Sequence, residues 1–186
     1  MSQASNPARA SELPVRTSKG AAAAEPLQQY LTFVLSGEVF GIGILAIKEI
    51  IEYPSLTEVP MMPEYVRGVI NLRGAVVPVI DLSVRFDKPP SPVTKRTCIV
   101  IIEIVASRER HVLGVVVDAV NAVLDISAAE IEPPPAFGAS IRTDFIQGLG
   151  KVNGKFVILL DVDHALAAQE TQSLVAAQGT GTSEAA

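Results

Sequence analysis

The 186-residue chain has no tryptophan, and only 5% of it is aromatic. Its 15 Lys and Arg stand against 20 Asp and Glu, for a net charge of −5. It therefore lacks both the basic face and the stacking rings with which proteins of this size hold nucleic acid, and no nucleic-acid partner is expected. A single cysteine, Cys98, excludes an internal disulfide and any cysteine-based zinc site. It lies in TCIVIIEIV and is expected as a small buried core residue. No apolar run approaches the roughly 18 residues of a membrane span, so no direct insertion into a bilayer is expected. The N-terminal stretch has no continuous apolar segment and is no secretory signal.

What is present is self-similarity, and a repeat is best read before single residues. VFGIGILAIKEIIE from Val39 matches VLGVVVDAVNAVLD from Val112, with Gly41 opposite Gly114. EYVRGVINLRGAVVPVIDL from Glu64 matches DFIQGLGKVNGKFVILLDV from Asp144 without a gap. Gly68, Gly74 and Asp81 in the first copy stand against Gly148, Gly154 and Asp161 in the second.

Each copy reads as short strands separated by glycine-rich turns. Ser36-Gly37, Arg73-Gly74 and Asn153-Gly154 are hairpin signals, the last the strongest. LAIKEIIEY is rich in β-branched residues and is read as a strand, which puts Ile47 and Glu49 on one face and Ile50 on the other. Pro63 and Gly68 bracket a single helical turn over EYVR. Pro78 lacks a donor, so its strand is expected at a sheet edge or bulged. DKPPSPVTK, from Asp87 to Lys95, reads as the linker between halves. The fold class is mainly β: two small five-stranded barrels that bury apolar surface against each other around a shared core, with short helices. The division is a flexible arm over 1–28, a first barrel over 29–90, a second over 91–168 and a flexible tail over 169–186.

Catalytic chemistry finds little support. Asp81 and Asp161 occupy equivalent places, as paired carboxylates do in duplicated proteases, but the small residue and glycine that follow there are missing. Each Asp ends a strand before a short helix, where a carboxylate caps free backbone donors. Asp161, Asp163 and His164 are too few for a metal site. His111 belongs at a solvated hairpin end. No phosphate loop, dinucleotide fingerprint or nucleophile elbow occurs. No catalytic residue, metal or cofactor is expected.

Positions where the copies disagree have escaped the demands of the shared fold. Glu49 faces Ala122, and Arg73 faces Asn153. Both charges belong to the first copy alone. Exposed pairs contribute only about 0.2–1 kcal/mol, so recognition is a better reason for them than stability. Set among Ile47, Ile50 and Val69, an ion pair is a polar anchor in an apolar patch.

FGIGILAIKEIIEY, VP..PEYVRGVINLRGAVVPVIDL, LGVVVDAVNAVLDI and FIQGLGKVNGKFVILLDV closely resemble the CheW family of bacterial chemotaxis coupling proteins, from about Tyr30 to Leu166. The resemblance implies two SH3-like barrels and a non-catalytic cytoplasmic adaptor recruited to membrane-associated receptor arrays. Its partners would be the regulatory domain of a CheA-type histidine kinase and the cytoplasmic tip of a chemoreceptor, with ring assembly alongside the kinase domain. By the same resemblance, Ile47, Glu49, Ile50 and Arg73 belong to the receptor face, and Gly68, Asn71 and Leu72 to the kinase face. Three alternatives stand beside it. One is a coupling protein of a non-motility pathway. Another is a fused form with a receiver domain, for which the chain ends too soon after Leu166. The third is a carboxylate-dependent hydrolase using Asp81 and Asp161.

Overall fold

The computed structural model describes residues 26–134 and 142–167. The terminal segments read above as arm and tail lie almost wholly outside these residues. Among the described residues eleven strands form two sheets. The first half supplies β1 (Leu27–Leu35), β2 (Glu38–Gly43), β3 (Ile47–Glu52), β4 (Val66–Leu72), β5 (Ala75–Asp81) and the short helix α1 (Leu82–Arg85). The second supplies β6 (Cys98–Ala106), β7 (Glu109–Val117), β8 (Ala119–Ser127), the two-residue β9 (Ile131–Glu132), β10 (Ile146–Val152), β11 (Lys155–Leu160) and α2 (Val162–Leu166). The expected helical turn over EYVR shrinks to one hydrogen bond, Val66 N–H to Pro63 O at 2.9 Å.

The sheets do not follow the halves. One runs β8-β1-β2-β11-β10-β9 and the other β3-β6-β7-β5-β4. The leading hairpin of each half is thus built into the barrel of the other half, and the 90/91 boundary does not separate the barrels. Parallel pairs make the junctions: Leu159 beside Gly41, and Val79 beside Gly114. Each sheet curls closed through the chain itself. β3 runs on to Thr57, which bridges Val69 of β4, and β8 runs on through Ala128–Glu130 into β9, which pairs with β10. At both closures the backbones come so near that only glycine fits. A Cβ on Gly68 would lie 2.5 Å from the Thr57 carbonyl oxygen, and one on Gly148 would lie 2.5 Å from Ile131 Cγ2.

Each barrel has its own interior, Ile70, Val77, Val79, Ile99, Ile101 and Val116 in one, and Tyr30, Ile126, Val157 and Leu159 in the other. A larger cluster lies between them, with Phe33, Phe40, Phe86 and Phe145 in a chain of ring contacts 6.0 Å apart. The hairpin turns at Ser36-Gly37, Arg73-Gly74, Ser107-Arg108 and Asn153-Gly154 have positive φ at both central residues, the geometry that matches strand twist.

Three expectations change. Pro78 is not at an edge: β5 lies between β4 and β7. Counting from the two-residue turn, Pro78 and Val69 form a non-hydrogen-bonded pair, so its nitrogen faces β7, whose ladder begins one residue later at Val79. Asp87–Lys95 is no free linker, since Ser91 within it is buried. Cys98 is half-buried at the start of β6 rather than fully enclosed, and burial pushes its thiol pKa up.

Candidate functional site

β3 pairs with β6 through a bulge between Ile47 and Glu49. Ile47 stands opposite Ile102, which belongs to the core between the barrels, while Glu49 stands opposite Ile101, which lines a barrel interior. The bulge therefore breaks the plain alternation expected from sequence: Ile47 and Glu49 point to opposite faces, and Ile50, opposite Val100, returns to the side of Ile47. Ile47 packs against the central core and Ile50 is exposed.

Glu49 meets Arg73. Its Oε2 accepts from the guanidinium at 2.7 Å, and Arg73 itself is largely exposed. Glu49 Oε1 is buried without a partner among the described residues. The pair borders a cleft of about 360 Å³ that Leu72, Val76 and Val112 make apolar. Lys48 stands on the same rim and bonds Glu103 at 2.8 Å, which holds the Glu103 carboxyl pKa below its ordinary value. Arg73 sits at φ 54° in the turn, where an L-residue other than Asn or Gly is disfavoured by roughly 1 kcal/mol or more. The second copy has Asn153 there at φ 51°. Arginine is thus held at a position whose backbone prefers asparagine.

The other predicted residues are less unified. Asn71 Oδ1 accepts from Gly74 N at 2.9 Å and closes the turn. Leu72 is half-buried against a barrel interior and lines the Glu49–Arg73 cleft. Gly68 lies at the barrel closure.

The capping aspartates are not a catalytic pair. Asp81 is fully buried, and its oxygens accept from Ser83 N, Val84 N, Ser91 N and the Arg67 guanidinium. Burial opposes the Arg67 charge, but its bonds to Asp81, with help from Tyr53, raise its pKa overall. Asp161 caps α2 and binds the His164 ring at 2.7 Å, which raises the His164 pKa. Asp161 opens onto a cleft that Asp81 does not line. The hydrolase alternative fails on these contacts. Among the described residues no group of His, Cys, Asp or Glu is placed to hold a metal, and no helix is long and apolar enough to cross a membrane.

Two features escaped the sequence reading. Arg67 has Gln147 as its counterpart, a copy difference of the kind that singled out Glu49 and Arg73. Arg85 lies between Tyr65 and Phe145, themselves counterparts, at 5.2 and 4.9 Å from the ring centres, and donates to Ala165 O at 3.1 Å. It ties α1 to α2 where the two copies meet.

Comparison with known proteins settles the lineage. The CheW-like domain matches residues 29–170. The chain belongs to the CheW-like domain family. Chemotaxis protein CheW of Klebsiella aerogenes is 35% identical over 143 residues, 77% of this chain and 84% of that one. Protein FrzA of Myxococcus xanthus is 30% identical over 134 residues, 72% and 81% of the two chains. The crystal structure of the scaffolding protein TtCheW from Thermoanaerobacter tengcongensis superposes with a TM-score of 0.70 at 33% identity, covering 82% of this chain and 96% of that one. The family and the two SH3-like barrels expected from the motifs are thus found, and the chain is a chemotaxis coupling adaptor of this family.

Proposed function

We propose that this adaptor acts by holding a chemoreceptor cytoplasmic tip and the regulatory domain of a CheA-type histidine kinase side by side, without chemistry of its own. The observation that carries the receptor half is the Glu49–Arg73 pair. It is found in one copy only, at a turn position that prefers asparagine, and it holds a largely exposed guanidinium at the edge of an apolar cleft. A partner carbonyl or carboxylate would meet the exposed Arg73 guanidinium, while Val76, exposed on the same cleft, supplies apolar contact beside it. The kinase would contact β4 at Gly68, Asn71 and Leu72, a site that borders the receptor contact, since Leu72 lines the same cleft as Glu49 and Arg73. Bridging needs only simultaneous occupancy, because a tethered second partner gains from effective concentration. Array recruitment in the cytoplasm follows from these two contacts.

The test is a three-component pull-down with a receptor tip and a kinase regulatory domain. The native chain should retain one on the other. Arg73→Glu should abolish receptor-dependent retention while the thermal midpoint stays within the small range of an exposed pair, about 1 kcal/mol or less. A large fall in midpoint with normal retention would assign the pair to folding instead.

A further inference from the structure

The strand registers superpose the two barrels residue by residue. Tyr30 pairs with Gly43 and Leu124 as Ile99 pairs with Val116 and Ile51. Leu159 pairs with Gly41 as Val79 pairs with Gly114. On this correspondence Arg67, Asp81, Ser83, Thr97 and Asp118 have Gln147, Asp161, Asp163, Gln28 and Leu45 as counterparts. Arg67, Asp81, Ser83 and Thr97 hold a strap of the chain's own making, and Asp118 joins them through Ser36, whose N–H it accepts and whose hydroxyl meets that of Ser83. Ser91 N donates to Asp81, its carbonyl accepts from Arg67, and its hydroxyl meets that of Ser83 at 3.0 Å. Thr97 Oγ1 donates to Pro92 O. All five members of the second set line one open cleft of about 540 Å³.

That cleft differs from its strapped counterpart in two ways. Replacing Arg67 by Gln147 and Ser83 by Asp163 adds two steps of negative charge, and the loss of Asp118 takes one back, so the cleft is one charge more negative. Replacing Asp118 by Leu45 makes its rim apolar, with Leu45 and Leu27 both strongly exposed. The occupant it calls for resembles the strap but carries a cation and an apolar residue. Such a segment precedes β1, among residues 1–25, which lie outside the described chain. The strap reads Ser91-Pro92-Val93-Thr94-Lys95-Arg96-Thr97, and the N-terminal segment holds Leu13-Pro14-Val15-Arg16-Thr17-Ser18-Lys19. Leu13 replaces Ser91 as Leu45 replaces Asp118, and Arg16 and Lys19 supply positive charge. Residues 168–186 contain Glu170 and Glu184 and no Lys or Arg, so they suit an acidic cleft poorly. The seven residues Gly20–Pro26 span at most about 25 Å, enough to return from Leu27, itself on the cleft wall.

We propose that residues 13–19 of this chain seat in the cleft beside Asp161 and Asp163, as the second barrel's counterpart of the Ser91 strap. Limited trypsin digestion of the full chain under native conditions tests it at Arg16 and Lys19. Cleavage there should be about tenfold slower than in Val15→Asp or Asp163→Lys, whose thermal midpoints report any loss of fold. Combining Asp163→Lys with Arg16→Glu should recover protection at Lys19. Equal cleavage rates in native chain and variants overturn the proposal. So does protection that grows with protein concentration, which places the segment on a second copy. Amide protection near Thr171 in place of Val15, by hydrogen exchange, would give the cleft to the C-terminal segment and likewise overturn it.

Discussion

At the scale of single residues, the two copies act as controls for each other. Gly68 and Gly148 share a closure role, so the coupling role that the resemblance assigns to Gly68 meets a structural competitor. Gly68→Ala would place a Cβ 2.5 Å from a carbonyl oxygen at a φ of +152°. The expected cost is about 1–3 kcal/mol, seen as a lower denaturant midpoint, with kinase retention falling in step. Native stability with lost retention would return Gly68 to the contact surface. Arg73 and Glu49 were legible in the sequence because their counterparts, Asn153 and Ala122, lack charge. The face of Ile47 was not legible. One extra residue at the β3 bulge inverts the alternation, and Lys48 carries no local signal for it.

At the scale of elements, composition misread the segment between the halves. Proline and serine mark an exposed linker and a buried strap alike. What decides between them is Asp81, whose acceptor sites are filled from residues 67, 83, 84 and 91, far apart in sequence. The capping reading of both aspartates holds, but the energies should differ. Asp81→Ala leaves Arg67 in a largely buried site without its partner, for a loss of about 3 kcal/mol. Asp161→Ala removes a helix cap and a solvent-facing histidine contact, for about 1 kcal/mol. Urea midpoints of the two variants, measured together, check the ordering. Equal losses would mean that the strap network adds nothing to the cap.

At the scale of the whole molecule, the repeat showed two like units but not how they are joined. Pairing partners lie far apart in sequence, and hydrophobic periodicity carries no record of which hairpin enters which sheet. The exchange has a mechanical consequence. Residues 29–90 supply β3, β4 and β5 to one barrel but leave β1 and β2 to the other, and residues 91–168 do the reverse. Either half alone would expose both the interior face and the strand edges that the exchanged hairpin covers, at β3 and β5 in one case and at β8 and β11 in the other. The shared core, with Phe33 and Phe40 from one half and Phe145 from the other, would also be divided. The full chain should therefore unfold in one cooperative step. Chains 1–90 and 91–186, made separately, should show collapsed amide dispersion and no denaturant transition, and mixing them should restore both in equal proportion. A half that folds alone as a monomer would show that its barrel closes without the partner's hairpin, and adaptor function could then be assigned to one barrel at a time.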